Sequence, residues 1–142
     1  MNRSNNLRAR QQGSMLLEAL IAILIFSVGI LALVGLQAAS IKNTTDAKFR
    51  SDAAFLANKV IAQMWVADTA TGANLATLFN TGGAGYNAWL ADVQAGLPAA
   101  TGAIAVAPGV MPGSNVATVT LGWQAPGDNT AHSYVASAQI TK

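Results

Sequence analysis

Residues 13–41 read GSMLLEALIAILIFSVGILALVGLQAASI. From Ala19 to Ile41 there are 23 residues without a charge, and 13 of them are Leu, Ile, Val or Phe. A helix of about 20 apolar residues spans a bilayer. At about −0.3 to −0.6 kcal/mol each on the insertion scale, those side chains supply roughly −4 to −8 kcal/mol, enough to outweigh one acid near the end of the span. The stretch is therefore expected to insert as a transmembrane helix. Two other readings fit less well. A secretory signal peptide has an apolar region of about 7 to 15 residues and a small-residue cleavage site after it; this run is longer and has no such boundary. A buried core helix is disfavoured because the stretch is apolar on every face.

Before the run, residues 1–13 carry Arg3, Arg8 and Arg10 and no acid, and their only apolar members are Met1, Leu7 and Ala9. After it, Lys42 is the only basic residue close by. The excess of positive charge on the N-terminal side orients that terminus to the cytoplasm and the rest of the chain to the opposite side.

Beyond the membrane stretch the helical pattern continues but changes character. Ala53, Leu56, Ala57, Val60, Ile61 and Met64 recur at the spacing of one helix face. Asp46, Lys48, Arg50, Asp52 and Lys59 are assigned to the opposite face. No proline interrupts residues 14–68, so a single helix of about 50 residues is expected. Its second half needs a cover for the apolar stripe.

The rest of the chain supplies that cover. From Ala67 to Ala103 the composition turns to Gly, Ala, Thr and Asn and reads largely as loop, including Gly82-Gly83-Ala84-Gly85, with one short helix at Tyr86–Ala95 stopped by Gly96 and Pro98. Three strand-like runs follow, Ala103–Ala107, Val116–Trp123 and Ser133–Thr141, separated by Pro112-Gly113 and Pro126-Gly127-Asp128-Asn129. They predict an antiparallel meander with one face on the helical stripe. The expected fold class is α+β: a long N-terminal helix, half transmembrane and half amphipathic, packed on a small antiparallel sheet. The expected divisions are residues 1–13 as a basic leader, 14–41 as the membrane helix, 42–67 as its amphipathic continuation, and 68–142 as a β-rich head resting on residues 50–67.

Composition narrows the function classes. The chain has 142 residues, 52% hydrophobic and 10% charged, against about a quarter charged in ordinary soluble domains. There is no cysteine, which removes disulfides, thiolate metal sites and thiol nucleophiles together. His132 is the sole histidine and is read as an exposed loop residue with Asp128 nearby; no serine or second ligand completes a catalytic group around it. Gly82-Gly83-Ala84-Gly85 lacks the Lys-Ser/Thr of a phosphate cradle. Trp65, Trp89 and Trp123 lie beside apolar runs and read as core anchors. No catalytic residue, metal site or cofactor is expected. A nucleic-acid partner is not expected either, because after Asp68 the head offers only Lys142 against Asp92 and Asp128.

One feature remains. Gly13-Ser14-Met15-Leu16-Leu17-Glu18 joins the basic leader to the apolar run. A carboxylate just inside a membrane helix is costly and signals a function and a partner. If the chain is cut between Gly13 and Ser14, Glu18 becomes the fifth residue, in the first helical turn, beside a new α-ammonium group and favourably placed for the helix dipole.

These residues resemble the type IV prepilin superfamily, which includes the pseudopilins of type II secretion. Shared features are the short basic leader ending in Gly13, the Leu16-Leu17-Glu18 core, the unbroken apolar run, and its continuation into a small β-rich head. Within that superfamily, Gly29-Ile30-Leu31, Gly35-Leu36-Gln37, Ala53-Ala54-Phe55-Leu56-Ala57, Val60-Ile61-Ala62-Gln63-Met64 and the strand Val116–Trp123 are similar to the PilV-type minor pilins.

The resemblance implies that Gly13 precedes the bond cut by a membrane-embedded prepilin peptidase and that Ser14 becomes the N-methylated first residue. It implies that Glu18 neutralises a neighbouring subunit's terminal amine during assembly. The implied partners are the prepilin peptidase, other minor pilins and the major pilin, the inner-membrane assembly machinery and inner-membrane lipid. The implied location is the inner membrane, N-terminus cytoplasmic and head periplasmic, and then the pilus. Ser14, Gly35 and Gln63 depart from the residues usual at those positions in major pilins. A minor pseudopilin similar to GspI shares the same leader, Glu18 and head; a DNA-uptake pilin and a generic single-pass anchored domain are the further alternatives. Loss of residues 1–13 would remove three of the eight basic residues and none of the six acids, leaving five against six, a net of −1 before the termini. The apparent basicity thus belongs to the leader.

Overall fold

The computed structural model describes residues 5–67 and 74–141, with side chains from residue 13 onward. Arg3 of the expected leader and residues 68–73 of the expected head lie outside the described residues. The chain divides into two compact units, Met1–Thr44 and Thr45–Lys142.

Helix α1 runs from Asn5 to Val66, 62 residues. It is longer than the sequence predicts because it starts upstream of Ser14: Leu, Arg, Ala and Gln in the leader are all good helix formers and nothing there breaks the ladder. The last turn closes with Ala67 N–H donating to the Gln63 carbonyl at 2.8 Å.

In the first unit every residue from Gly13 to Thr44 is exposed. Leu20 and Ile25 are each 65% exposed and Leu31 75%, so this stretch is not the core helix of the chain. Among the described residues it belongs to the one helix long and apolar enough to cross a membrane. Two hydroxyls within it are satisfied locally: Ser27 Oγ donates to the Ile23 carbonyl at 2.7 Å and Thr44 Oγ1 to the Ser40 carbonyl at 2.9 Å. That back-bonding to the preceding turn lets a hydroxyl sit on an apolar helix without a bare donor.

In the second unit the stripe read from the sequence is the core face of the helix. Ala53, Leu56, Ala57, Val60 and Met64 are buried, with Phe49 and Ile61 packed partly against them. Their cover is a three-stranded antiparallel sheet in the order β1 (Thr101–Pro108), β2 (Ser114–Trp123), β3 (His132–Thr141). The register sets Ile104 opposite Val119, Val119 opposite Ala136, and Leu121 opposite Tyr134. Because side chains alternate, Ala117, Val119, Leu121 and Trp123 all face the core while Thr118 and Thr120 face away. The protein is thus an α+β fold, a long N-terminal helix packed on a small antiparallel meander.

Two short helices flank the sheet. α2, Leu75–Phe79, was expected as loop; its N-cap Asn74 accepts from Thr77 N–H at 2.7 Å and it buries Leu75 and Phe79. α3, Ala84–Gly96, contains the predicted helix and begins earlier, so that Ala84 and Gly85 of the glycine-rich stretch are helical and Gly83 is the N-cap. Trp89 is 1% exposed, and its indole N–H donates to the Leu56 carbonyl at 3.0 Å, tying α3 to α1. Its ring lies against Gly102, where an added Cβ would come within 2.8 Å of it. The segment between α2 and α3 covers the outer edge of β1, through Thr81 N–H to the Ile104 carbonyl at 3.2 Å and Val106 N–H to Asn80 Oδ1 at 2.6 Å. Edge groups of β1 that would otherwise be open are paired.

One tryptophan departs from expectation. Trp65 is 46% exposed, because the preceding residue, Met64, takes the inward position on the helix.

Candidate functional site

Gly13, Ser14 and Glu18 lie on consecutive turns of α1 and all three are exposed. The helix passes through the Gly13–Ser14 bond without a break, so in the uncut chain Glu18 is interior to the helix and not in its first turn. Among the described residues no side chain pairs with Glu18. Gly13, Gly29 and Gly35 have nothing within 4 Å of where a Cβ would stand. Glycine in a helix interior costs about 1 kcal/mol relative to alanine, and at these positions packing within the chain does not call for it.

A second cluster of titratable side chains is formed by residues of α1, the β2–β3 turn and β3. Asp46 on α1, Asp128 in the β2–β3 turn and His132 at the start of β3 place one ligand atom each within 4.8 Å of one another. All three are half-buried. His132 Nε2 lies 3.2 Å from Asp128 Oδ2, and the imidazole stacks on Trp123 with ring centres 5.7 Å apart and planes inclined by 22°.

The turn that presents Asp128 is well fixed. Gly127 has φ +79°, a value that favours glycine. Asp128 N–H donates to the Ala125 carbonyl at 3.0 Å, and Gln124 Nε2 donates to the Asp128 carbonyl at 2.7 Å. Thr130 N–H reaches Asp128 Oδ1 at 3.3 Å, leaving Oδ2 directed at His132. Beside the cluster an open pocket of about 300 Å³ is lined by Asp46, Ala47, Arg50, Trp123 and His132.

His132 is not an exposed loop residue: it pairs with Trp123 across β2 and β3, and its side chain is only 25% exposed. Asp46 and Arg50 are not on the helix face away from the sheet. Asp46 is seven residues, about two turns, before Ala53, and so shares its face; Arg50 is seven before Ala57. Asp52 and Lys59 also leave the solvent side in part, Lys59 reaching Asp92 of α3 at 2.8 Å. Lys48 remains outward and pairs with Asp52 at 3.0 Å.

Comparison with known family models, with curated proteins and with solved structures finds no match.

Proposed function

We propose that this protein is a minor type IV pilin of the PilV type, a structural subunit that helps to initiate or modify pilus assembly after prepilin-peptidase cleavage. The observation that carries the reading is the junction Gly13-Ser14-Met15-Leu16-Leu17-Glu18, standing between a basic leader and an unbroken apolar helix. Cleavage after Gly13 would leave Ser14 as the methylated N-terminus. Residues 14–41 would anchor the subunit in the inner membrane, head outward, and then pass into the filament core among other minor pilins and the major pilin.

Three properties of the helix support this. Its apolar side chains from Gly13 to Thr44 are uncovered within the chain, its glycines meet nothing within 4 Å, and Glu18, the single carboxylate of residues 13–44, has no side-chain partner among the described residues. An unpaired charge in an apolar filament core would be expensive, so Glu18 requires a cation from outside, and a neighbouring subunit's terminal amine is the proposed one. Glu18→Ala should therefore still be cut by the peptidase yet be depleted from sheared pili. Undiminished incorporation of that variant would contradict the role of Glu18.

A further inference from the structure

The geometry points to a binding site for one divalent transition-metal ion of the zinc class, held by Asp46, Asp128 and His132. Two carboxylates and one imidazole come from three separate elements, α1, the β2–β3 turn and β3, and their ligand atoms lie within 4.8 Å of one another. Zinc takes nitrogen and carboxylate oxygen at about 2.0–2.2 Å, which places neighbouring ligands about 3 to 3.5 Å apart. The 3.2 Å separation of His132 Nε2 and Asp128 Oδ2 already meets that spacing, and a carboxylate oxygen of Asp46 lies within 4.8 Å of both.

The outer contacts are of the kind that orient metal ligands. Asp128 is held by Thr130 N–H through its other oxygen, and the His132 ring is fixed by its stack on Trp123. The adjoining pocket gives room for water to complete the coordination.

The donor set and local charge select the metal. One nitrogen and two carboxylates suit zinc, manganese or nickel better than calcium, which takes six to eight oxygens. Arg50 lines the same pocket and offsets part of the carboxylate charge, so an ion held mainly by charge is disfavoured relative to one held by the imidazole. Bound metal would join the start of the head's helix to the β2–β3 turn. With one histidine and no cysteine in the chain, any imidazole-ligated ion must use His132, which makes the assignment unusually easy to test.

The test is titration of the full-length protein in detergent micelles with zinc chloride, read by calorimetry, thermal unfolding and the nitrogen resonances of the imidazole. The expected result is one saturable zinc per chain, a shift of the His132 Nε2 resonance, and a rise in Tm of at least about 4 °C in excess zinc. Asp46→Asn and His132→Gln should each weaken binding at least tenfold, while Asp52→Asn, a carboxylate on the same helix outside the cluster, leaves it unchanged. Calcium at equal concentration should not displace zinc. Absence of saturable binding, an unmoved Nε2 resonance, full binding by His132→Gln, or equal competition by calcium would each overturn the assignment. Because the wild-type titration is decisive alone, a variant that fails to fold does not rescue the idea.

Discussion

Residues 13–44 and residues 45–66 belong to one helix and could hardly be treated more differently by the rest of the chain. In the second stretch an apolar stripe of Ala53, Leu56, Ala57, Val60 and Met64 is buried under a sheet and two small helices. In the first, more apolar stretch, nothing is buried. The difference shows that helix formation and helix burial are separate matters. Helix propensity and the absence of proline carry the backbone through both stretches, while the pattern of side chains decides whether the cover comes from within the chain or from outside it.

The contrast can be broken by truncating apolar side chains in the two stretches and their covers. Trp89→Ala removes a buried ring and its bond to the Leu56 carbonyl, and should lower head stability by about 3–5 kcal/mol. Leu24→Ala, a comparable deletion of apolar surface, should change head unfolding in micelles by no more than about 0.5 kcal/mol. Chemical denaturation followed by tryptophan fluorescence measures both; similar losses in the two variants would erase the distinction.

A smaller effect is expected at Gly102. An alanine there would press its Cβ against the Trp89 ring, and overpacking of this kind costs about 1–3 kcal/mol. The same change at Gly29, where nothing lies within 4 Å, should leave the head's unfolding midpoint unmoved. Asn74→Ala, which removes the N-cap of α2, should cost about 1 kcal/mol. Least of all is the pair of outward Lys48 with the half-exposed Asp52; Lys48→Ala should cost no more than about 0.5 kcal/mol and less in high salt.

The same contrast explains what was legible in the sequence. The charge-free run and the stripe from Ala53 to Met64 are repeated patterns, and each appears in the structure where the pattern places it. The strands were legible from alternation and turn residues, though β1 begins at Thr101 and not Ala103, since its first pairs depend on Leu121 and Gly122 across the sheet. α2 was missed because five residues are too few to show a helical period; Asn74 ahead of Leu75 was the available signal. The cluster of Asp46, Asp128 and His132 was missed for another reason. Its members are 82 and 4 residues apart in sequence, and only the seven-residue spacing from Asp46 to Ala53 hinted that this carboxylate faces the sheet.

For the uncovered stretch, what lies outside the chain is the central question, and cutting at Gly13–Ser14 is the step that would prepare it for other subunits. Intact-mass and N-terminal measurement of the protein purified from membranes of cells with an active prepilin peptidase tests this most directly. The account predicts a chain beginning at Ser14, bearing one added methyl group on its amine. A chain retaining Met1 to Gly13 in those cells would contradict it.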